Sequence, residues 1–320
     1  MGERNVVMNE FLSDRERFAD LINAGIFKGK QIVKPEELTE LDTSARRFER
    51  EEKKNRYYEY ARDQLKCWKC GNSQIVFGIE PEESVQYALP VKYMKYDSIQ
   101  YQKNYRDIAK EHRKKKDLST QDFISQFTDA DRLMPVVTLG VYCGGRRWDA
   151  PQSLHEILDL ARLPEGIREY VENSCPDYPI NLLDINELES SDIFVTDLRE
   201  VFGFLMRKDN KEELRRYVSE NEYFCHMRED AYHVVTVLSG MNNLALKEED
   251  NQTEGGVNMC NALEEMMQDA RMEGMQLGME RINKINSLNI RLASEGKVQD
   301  IIRAASDLEF QEKLCERYGI

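Results

Sequence analysis

The apolar residues of this 320-residue chain follow two different spacings. Runs of consecutive apolar residues, bounded by glycine or proline, occur in "QIVFGI", "MPVVTLGVY" and "PINLLDIN", and they predict three buried strands. Just before the first run, "DQLKCWKC" ends at Gly71-Asn72, a dipeptide that suits a two-residue turn between antiparallel strands. We therefore predict a hairpin from Asp63 to Glu80.

Apolar residues three or four positions apart predict helices elsewhere in the chain. The predicted helices before residue 187 are Asp14–Ala24, Val85–Tyr105 and Ser153–Arg162, and those after it are Thr196–Arg207, Lys211–Glu220 and Asp230–Ser239. The polar stretch "KPEELTELDTSARRFEREEKKNRYYEY" predicts a surface segment, and "HRKKKDLSTQ" predicts a loop. The pattern therefore changes from mixed strands and helices to helices alone.

The C-terminal region begins with a predicted linker, "EEDNQTEGG", and continues as a long helix from Asn258 to Ala293. After Gly296 a final helix runs to "CERYGI". The long helix carries an apolar stripe, made of Leu263, Met267, Ala270, Gly274, Gly278, Ile282, Ile285, Leu288 and Leu292. Packing within the chain and self-association of two chains both explain such a stripe.

Composition narrows the class of protein. The chain is 41% hydrophobic and 32% charged, and no stretch approaches the roughly 18 apolar residues of a membrane span. Seven cysteines scattered over a long chain predict free thiols, and hence a cytoplasmic protein that does not enter a membrane. No glycine-rich phosphate loop is present, so we expect no nucleotide cofactor.

The net charge of -14 opposes general affinity for nucleic acid, but the charge is uneven. From Ser84 to Lys116 there are nine Lys or Arg residues against three Asp or Glu residues. This block permits a phosphate-bearing partner, and it is equally typical of a solvated helix face beside a charged loop.

The predicted hairpin brings acidic residues together. If Gly71-Asn72 is the turn, Cys70 opposes Ser73 and Asp63 opposes Glu80, with Cβ atoms roughly 4.5–5.5 Å apart. Two like charges so placed repel each other unless a cation lies between them, and Mg²⁺ prefers carboxylate oxygens. Glu82 points to the same face as Glu80 if the strand continues. Solvent-exposed acids at a strand end remain the alternative to a metal site.

Several blocks in a fixed order carry a family resemblance: "FADLINAGIF", "YARDQLK", "IVFGIEPEESVQYALPVKYMKYDSIQY", "PVVTLGVYCGGRRWDAPQSLHEIL", "NLLDINELE" and "TDLREVFGFLMR". Together they resemble the recombination-promoting nuclease / putative transposase family, a branch of the PD-(D/E)XK nuclease superfamily. The resemblance implies an α/β fold with a restriction-endonuclease-like core, a central mixed sheet flanked by helices, followed by a helical C-terminal half. It implies nuclease-like residues 1–190, a helical extension 191–250, and a linker and tail 251–320.

The resemblance also implies DNA cleavage that depends on Mg²⁺ or Mn²⁺. By position, Asp63 and Glu80 match the two acidic metal ligands of the superfamily. The third position departs from the pattern, because Glu82 stands where the family usually has Gln and the wider superfamily has Lys. Lys92 matches a position where the family commonly carries Arg. It is expected to supply positive charge from the following helix, or else it is an ordinary surface lysine.

Two functional readings follow from these residues. In the first, the chain is a metal-dependent DNA endonuclease in recombination or mobile-element biology, with Asp63, Glu80, Glu82 and Lys92 at the site. The DNA-binding residues are then Lys92, Lys95, Lys103 and Arg106 on the basic helix. In the second, the acidic Glu82 has left a degenerate nuclease domain that binds DNA or protein without cutting.

Overall fold

A mixed five-stranded sheet with helices on both faces forms the centre of the protein. The computed structural model describes residues 3–51, 54–245 and 247–320, with side chains described there except at 44–61, 242 and 245. The sheet has the strand order β1-β4-β5-β6-β7. These strands are β1 (Leu38–Glu40), β4 (Gln64–Cys70), β5 (Ser73–Glu82), β6 (Val136–Tyr142) and β7 (Asn181–Asp184). The predicted α/β class, with its mixed sheet, is confirmed.

Strand direction divides this sheet into two parts. β1 and β4 run antiparallel to their neighbours, whereas β5, β6 and β7 are parallel. Parallel neighbours need a long crossover, and the one between β5 and β6 contains the long helix α3 (Leu89–Lys115). Two further pairs of strands lie outside the sheet: β2 (Ser44–Glu51) with β3 (Lys54–Ala61), and β8 (Gln252–Thr253) with β9 (Gly256–Val257).

Alternation along β5 and β6 sends apolar side chains to one face, where the main core lies. Phe77, Ile79, Leu139 and Val141 are buried there. The helices that share this core are α1 (Glu3–Ser13), α2 (Arg15–Gly25), α5 (Leu198–Arg207), α6 (Lys211–Glu220) and α7 (Glu229–Ser239). The predicted helices from Asp14, Lys211 and Asp230 are thereby confirmed to within about a residue or two at each end.

The opposite face of the sheet is covered by α3 and by the segment that follows β6. A smaller apolar cluster forms there from Leu89, Tyr93, Tyr142, Trp148 and Ala150. The residues of β5 that alternate with the core-facing ones point toward α3, and Gly78, Glu80 and Glu82 are among them. The acidic residues of the hairpin are therefore enclosed between the sheet and α3.

The C-terminal half is mostly helical, as predicted. Its remaining helices are α4 (Glu165–Ser174), just before β7, and then α8 (Asn242–Ala245), α9 (Met259–Ser294), α10 (Val298–Ser306) and α11 (Leu308–Tyr318). The side chain of Asn258 caps α9 by accepting from the amide of Asn261. The final predicted helix is two helices, because Asp307 ends α10 and caps α11.

Four other predictions of local structure were wrong or incomplete. No helix forms from Ser153 to Arg162, because the segment is tied to the chain before β7: the amide of Leu154 donates to the carbonyl of Tyr178 and that of Ile180 to the carbonyl of Gln152. The polar stretch after Lys34 contains strands β1 to β3. The expected linker contains β8 and β9, and Val257 is buried and paired with Met227.

The fourth correction concerns α3, which continues ten residues beyond the predicted end at Tyr105. Its last turn holds four basic residues, His112, Arg113, Lys114 and Lys115. Cations at a helix C-terminus are stabilised by the helix dipole, so the charged stretch that predicted a loop instead completes the helix. Lys116 then ends it in a left-handed conformation, with φ of 55°.

Two coarse expectations can also be compared with the structure. All seven cysteines are free, as predicted. In the part of the chain that the structure describes, no helix is both long enough and apolar enough to cross a bilayer.

The packing of β9 gives a first prediction. A Cβ atom at Gly256 would overlap the carbonyl oxygen of Met227, whereas a Cβ at the neighbouring Gly255 would meet open space. We expect Gly256→Ala to lower the free energy of unfolding by about 2 kcal/mol or more, measured by chemical denaturation. Gly255→Ala is the matched control, since both glycines have positive φ. Equal losses in the two variants would contradict tight packing of this segment.

Candidate active site

The hairpin that carries the acidic residues has the predicted register. Cys70 pairs with Ser73, Cys67 with Val76 and Gln64 with Ile79. β5 continues through Glu82, so Glu80 and Glu82 lie on the same face of the sheet, as predicted. β4, however, begins at Gln64, one residue after Asp63. The ladder therefore stops just short of the expected Asp63–Glu80 pair.

The alternation of side chains breaks where the ladder stops. Asp63 accepts a hydrogen bond from Asn9 Nδ2 on α1, at 2.6 Å. The preceding residue, Arg62, instead turns toward α3, and its Nε donates to Glu80 Oε1 at 3.2 Å. Arg62 is thus the direct partner of Glu80. Asp63 still lies near enough for its charge to contribute to a raised pKa at both Glu80 and Glu82.

Arg62 joins Glu80 to a second buried acid. Its Nη1 donates to Asp97 Oδ1 on α3 at 3.3 Å, and its Nη2 bonds the hydroxyl of Thr138 on β6. The same hydroxyl donates to Asp97 Oδ1 at 2.5 Å, and the Tyr178 hydroxyl bonds the other oxygen of Asp97. The guanidinium of Arg62 therefore forms ion pairs with two carboxylates, Glu80 and Asp97.

Two glycines make room for these side chains on the sheet. A Cβ atom at Gly78 would overlap the guanidinium of Arg62, and one at Gly140 would overlap the hydroxyl of Tyr93. Gly78 is paired with Thr138, and Gly140 with Glu80, so the two gaps are adjacent on β5 and β6. Glycine at both positions lets the polar groups lie flat between the sheet and α3.

Glu82 has its own set of partners. Lys92 Nζ lies 2.7 Å from Glu82 Oε1, and the Tyr93 hydroxyl donates to the same oxygen at 3.0 Å. The amide of Gln86 donates to the other oxygen. The lysine that was expected to face the site from α3 does so, and it forms an ion pair with the residue that departs from the family pattern.

Burial dominates the electrostatics of this cluster. It raises the pKa of Glu80 to about 8, with Arg62 opposing the rise and Asp63 adding to it. Burial also raises the pKa of Glu82, against the lowering effect of Lys92. For Lys92 burial alone would lower the pKa, but the charge of Glu82 reverses this, and the pKa is raised.

Acidic side chains exceed basic ones in the cluster. The acids are Asp63, Glu80, Glu82 and Asp97, and the cations Arg62 and Lys92 pair with the last three of them. Carboxylate oxygens in excess of local positive charge are the donor set of a hard divalent cation. The described residues contain no group of three side chains positioned as metal ligands. A divalent cation at this cluster would therefore have at most two carboxylates as protein ligands, and waters would complete its coordination.

The basic residues of α3 form a continuous stripe. At about 100° per residue, Lys92, Lys95, Lys103 and Arg106 lie within a sector of about 80°. Because α3 is longer than predicted, Lys110 and Arg113 extend the same sector. From Lys92 to Arg113 the stripe is about 32 Å long. Lys103 Nζ also donates to the backbone carbonyl of Asp42, at 3.4 Å.

Sequence reasoning missed Arg62, Asp97, Thr138 and Tyr93. Arg62 is adjacent to Asp63, but strict alternation placed it on the wrong face. Gly78 and Gly140, each inside a buried strand, were the available signal, since a glycine in a strand interior often marks close approach of another group.

No family model, no curated protein and no solved structure matches this chain in comparisons with known proteins. The family resemblance therefore stays a prediction.

The raised pKa of Glu80 makes stability depend on pH. The unfolded carboxyl titrates near 4.5 and the folded one near 8, so the folded protein holds an extra proton between these values. Stability from this group therefore decreases as pH rises through that window, by at most about 5 kcal/mol. Glu80→Gln has no proton to lose. We expect its free energy of unfolding, relative to the native chain, to increase from pH 5 to pH 8.5.

Urea denaturation at a series of pH values measures this difference. Glu189→Gln, at an exposed glutamate, is the control and should track the native chain. A constant difference between Glu80→Gln and the native chain across this range would show that Glu80 is ionised in the folded protein.

Proposed function

We propose that the protein is a metal-dependent DNA endonuclease that hydrolyses phosphodiester bonds in recombination or mobile-element biology. The observation that carries the proposal is the excess of acidic side chains over cations: Glu80, Glu82 and Asp97 are buried beneath α3 with half-buried Asp63 nearby, and only Arg62 and Lys92 carry positive charge there. Such a cluster attracts a divalent cation, and Mg²⁺ or Mn²⁺ is the class that carboxylates select.

Within this proposal each side chain has a distinct task. Asp63 and Glu80 hold the cation, which when bound activates water and offsets charge on a scissile phosphate. Arg62 holds Glu80 in place through Oε1 and leaves Glu80 Oε2 for the cation. Lys92, at a position where the family commonly carries Arg, neutralises Glu82 and supplies positive charge to the site from α3.

The finer fold assignment belongs to the same proposal. A mixed sheet with an acidic hairpin at its centre and helices on both faces supports a restriction-endonuclease-like core over residues 1–190. Residues 191–250 then form a helical extension. The tail begins at residue 251, although β9 and the start of α9 contribute to the main apolar core.

The DNA partner is assigned to the α3 stripe. Lys92 lies at the acidic cluster, and Lys95, Lys103 and Arg106 continue from it along one face. A stripe of about 32 Å corresponds to about one turn of B-form DNA. The -14 charge of the whole chain repels DNA elsewhere, so this stripe would also orient the duplex.

One observation favours the second candidate, a nuclease-fold protein that binds DNA without cutting. Glu80 already bonds Arg62 and Glu82 already bonds Lys92. Protein cations therefore already neutralise part of the negative charge that would attract a metal. If these ion pairs persist in the presence of Mg²⁺, the site is inert and only the α3 stripe functions.

Cleavage of supercoiled plasmid in Mg²⁺ or Mn²⁺ tests the enzyme directly. We expect nicking that chelator abolishes and that Asp63→Ala lowers by more than about 100-fold, since loss of a direct ligand should exceed the 10–100-fold effect of an outer partner. Glu189→Gln should retain full activity. Absence of nicking in the native chain, together with intact DNA binding, would establish the non-cutting candidate.

DNA binding has a separate test that does not depend on cleavage. The double variant Arg106→Ala/Lys110→Ala removes two exposed members of the stripe. We expect the slope of log affinity against log salt concentration to decrease by about 2, because each phosphate contact contributes about 0.9. Fluorescence anisotropy with a labelled duplex in chelator measures it. Lys313→Ala in the tail is the control, and an unchanged slope in the double variant would remove α3 as the DNA interface.

A further inference from the structure

The middle of α9 is exposed on every side. Residues 268–284, seventeen consecutive positions of the 36-residue helix, are all exposed. Five of them are large apolar residues with about 60% of their surface exposed: Met272, Met275, Leu277, Met279 and Ile282. In proteins most helical stability comes from tertiary packing of an apolar face, and exposure on every side leaves this segment with little such packing.

The exposed segment is amphipathic. At about 100° per residue, Met272, Met275, Met279 and Ile282 fall within a sector of about 80°. Gln268 shares this sector, and Arg271, Gly278 and Gly274 lie beyond one edge of it. Asp269, Glu273, Glu280 and Lys284 fall on the opposite side. Burying one methionine or isoleucine side chain contributes about 1.5–3 kcal/mol, so a partner on the apolar side would be stabilised by several such contacts.

Among the described residues, only the two ends of α9 pack against other parts of the chain. Met259, Ala262 and Leu263 pack on the body at the start of the helix. Leu288 and Leu292 pack with Ala304 of α10 and Leu314 of α11 at its end. Packing within the chain therefore explains the ends of the apolar stripe, and among the described residues no element covers its middle.

We propose that segment 268–284 pairs with the same segment of a second copy of this chain, in antiparallel orientation. The apolar side is complementary to itself, because its protruding methionines lie beside the two glycine gaps that let another helix approach closely. With the apolar positions spaced as in a heptad, Met272 then opposes Ile282 and Met275 opposes Met279. This assembly is independent of the proposed nuclease function.

The charges of the segment support both the partner and its direction. The first half carries Asp269, Arg271 and Glu273, and the second half carries Glu280, Arg281 and Lys284. Antiparallel pairing places the more acidic half beside the more basic half. The segment has no excess of Lys or Arg, which lipid surfaces and nucleic acid require, so a protein helix is the better fit.

The molar mass of the intact chain in solution tests the pairing. Light scattering after gel filtration at tens of micromolar should give twice the 37.5 kDa of one chain. Met275→Glu/Met279→Glu should give the mass of one chain and keep a cooperative unfolding transition in urea, which shows that the rest of the chain stays folded. Leu277→Glu/Ser287→Glu adds the same charges on the opposite side and should keep the mass of two chains.

Three results would overturn the proposal. The first is a native protein with the molar mass of one chain. The second is a Met275→Glu/Met279→Glu variant that keeps the mass of two chains. The third is a Leu277→Glu/Ser287→Glu control that dissociates to the same extent as that variant. Orientation has its own measurement: a mixture of Met272→Cys and Ile282→Cys chains should form a disulfide between the new cysteines, identified by peptide mapping. Preferential cross-linking of Met272→Cys to itself would indicate a parallel pair instead.

Discussion

The guanidinium of Arg62 is the constraint on which the arrangement beneath α3 depends. It lies over Gly78, bonds Glu80 on the sheet and reaches Asp97 on the helix. Removing one partner of a buried ion pair leaves an uncompensated charge, which is strongly destabilising. The sheet, α3 and the acidic hairpin are thus joined by one side chain. Any cation that binds Glu80 must act within this network, which couples the chemistry of the site to the packing of the fold.

This coupling explains how the same residues support both functional readings. Burial opposes ionisation of Glu80, and Arg62 only partly offsets it, so the folded protein keeps a proton that a metal would displace. A bound cation would contribute the positive charge that Arg62 cannot supply to Glu80 and Asp97 together. Lys92 also has two roles in the proposed function: it neutralises Glu82 at 2.7 Å, and the part of its side chain that remains exposed would meet the phosphate of a substrate.

Hydrophobic runs and one turn dipeptide were sufficient to predict the central strands, the hairpin register and most of the helices. They could not predict where alternation ends. The predicted hairpin register is correct as far as the pair Gln64–Ile79, but it does not extend to Asp63 and Glu80. Asn9 on α1 bonds Asp63, and the space above Gly78 is filled by Arg62. Both causes are tertiary contacts with distant residues. The length of α3 was missed for a different reason: a basic run resembles a loop in composition, but at a helix C-terminus the dipole stabilises it.

The two longest helices present different surfaces, and this difference bears on how the molecule would act on DNA. The exposed flank of α3 is basic, whereas the exposed side of α9 is apolar and its charges balance. In the proposed function, a single acidic cluster would act on one phosphodiester at a time. If α9 pairs two chains, each particle has two clusters and two α3 stripes, and the second site then binds its strand at a high effective concentration. Cuts in both strands would then follow from assembly, without a second site in one chain.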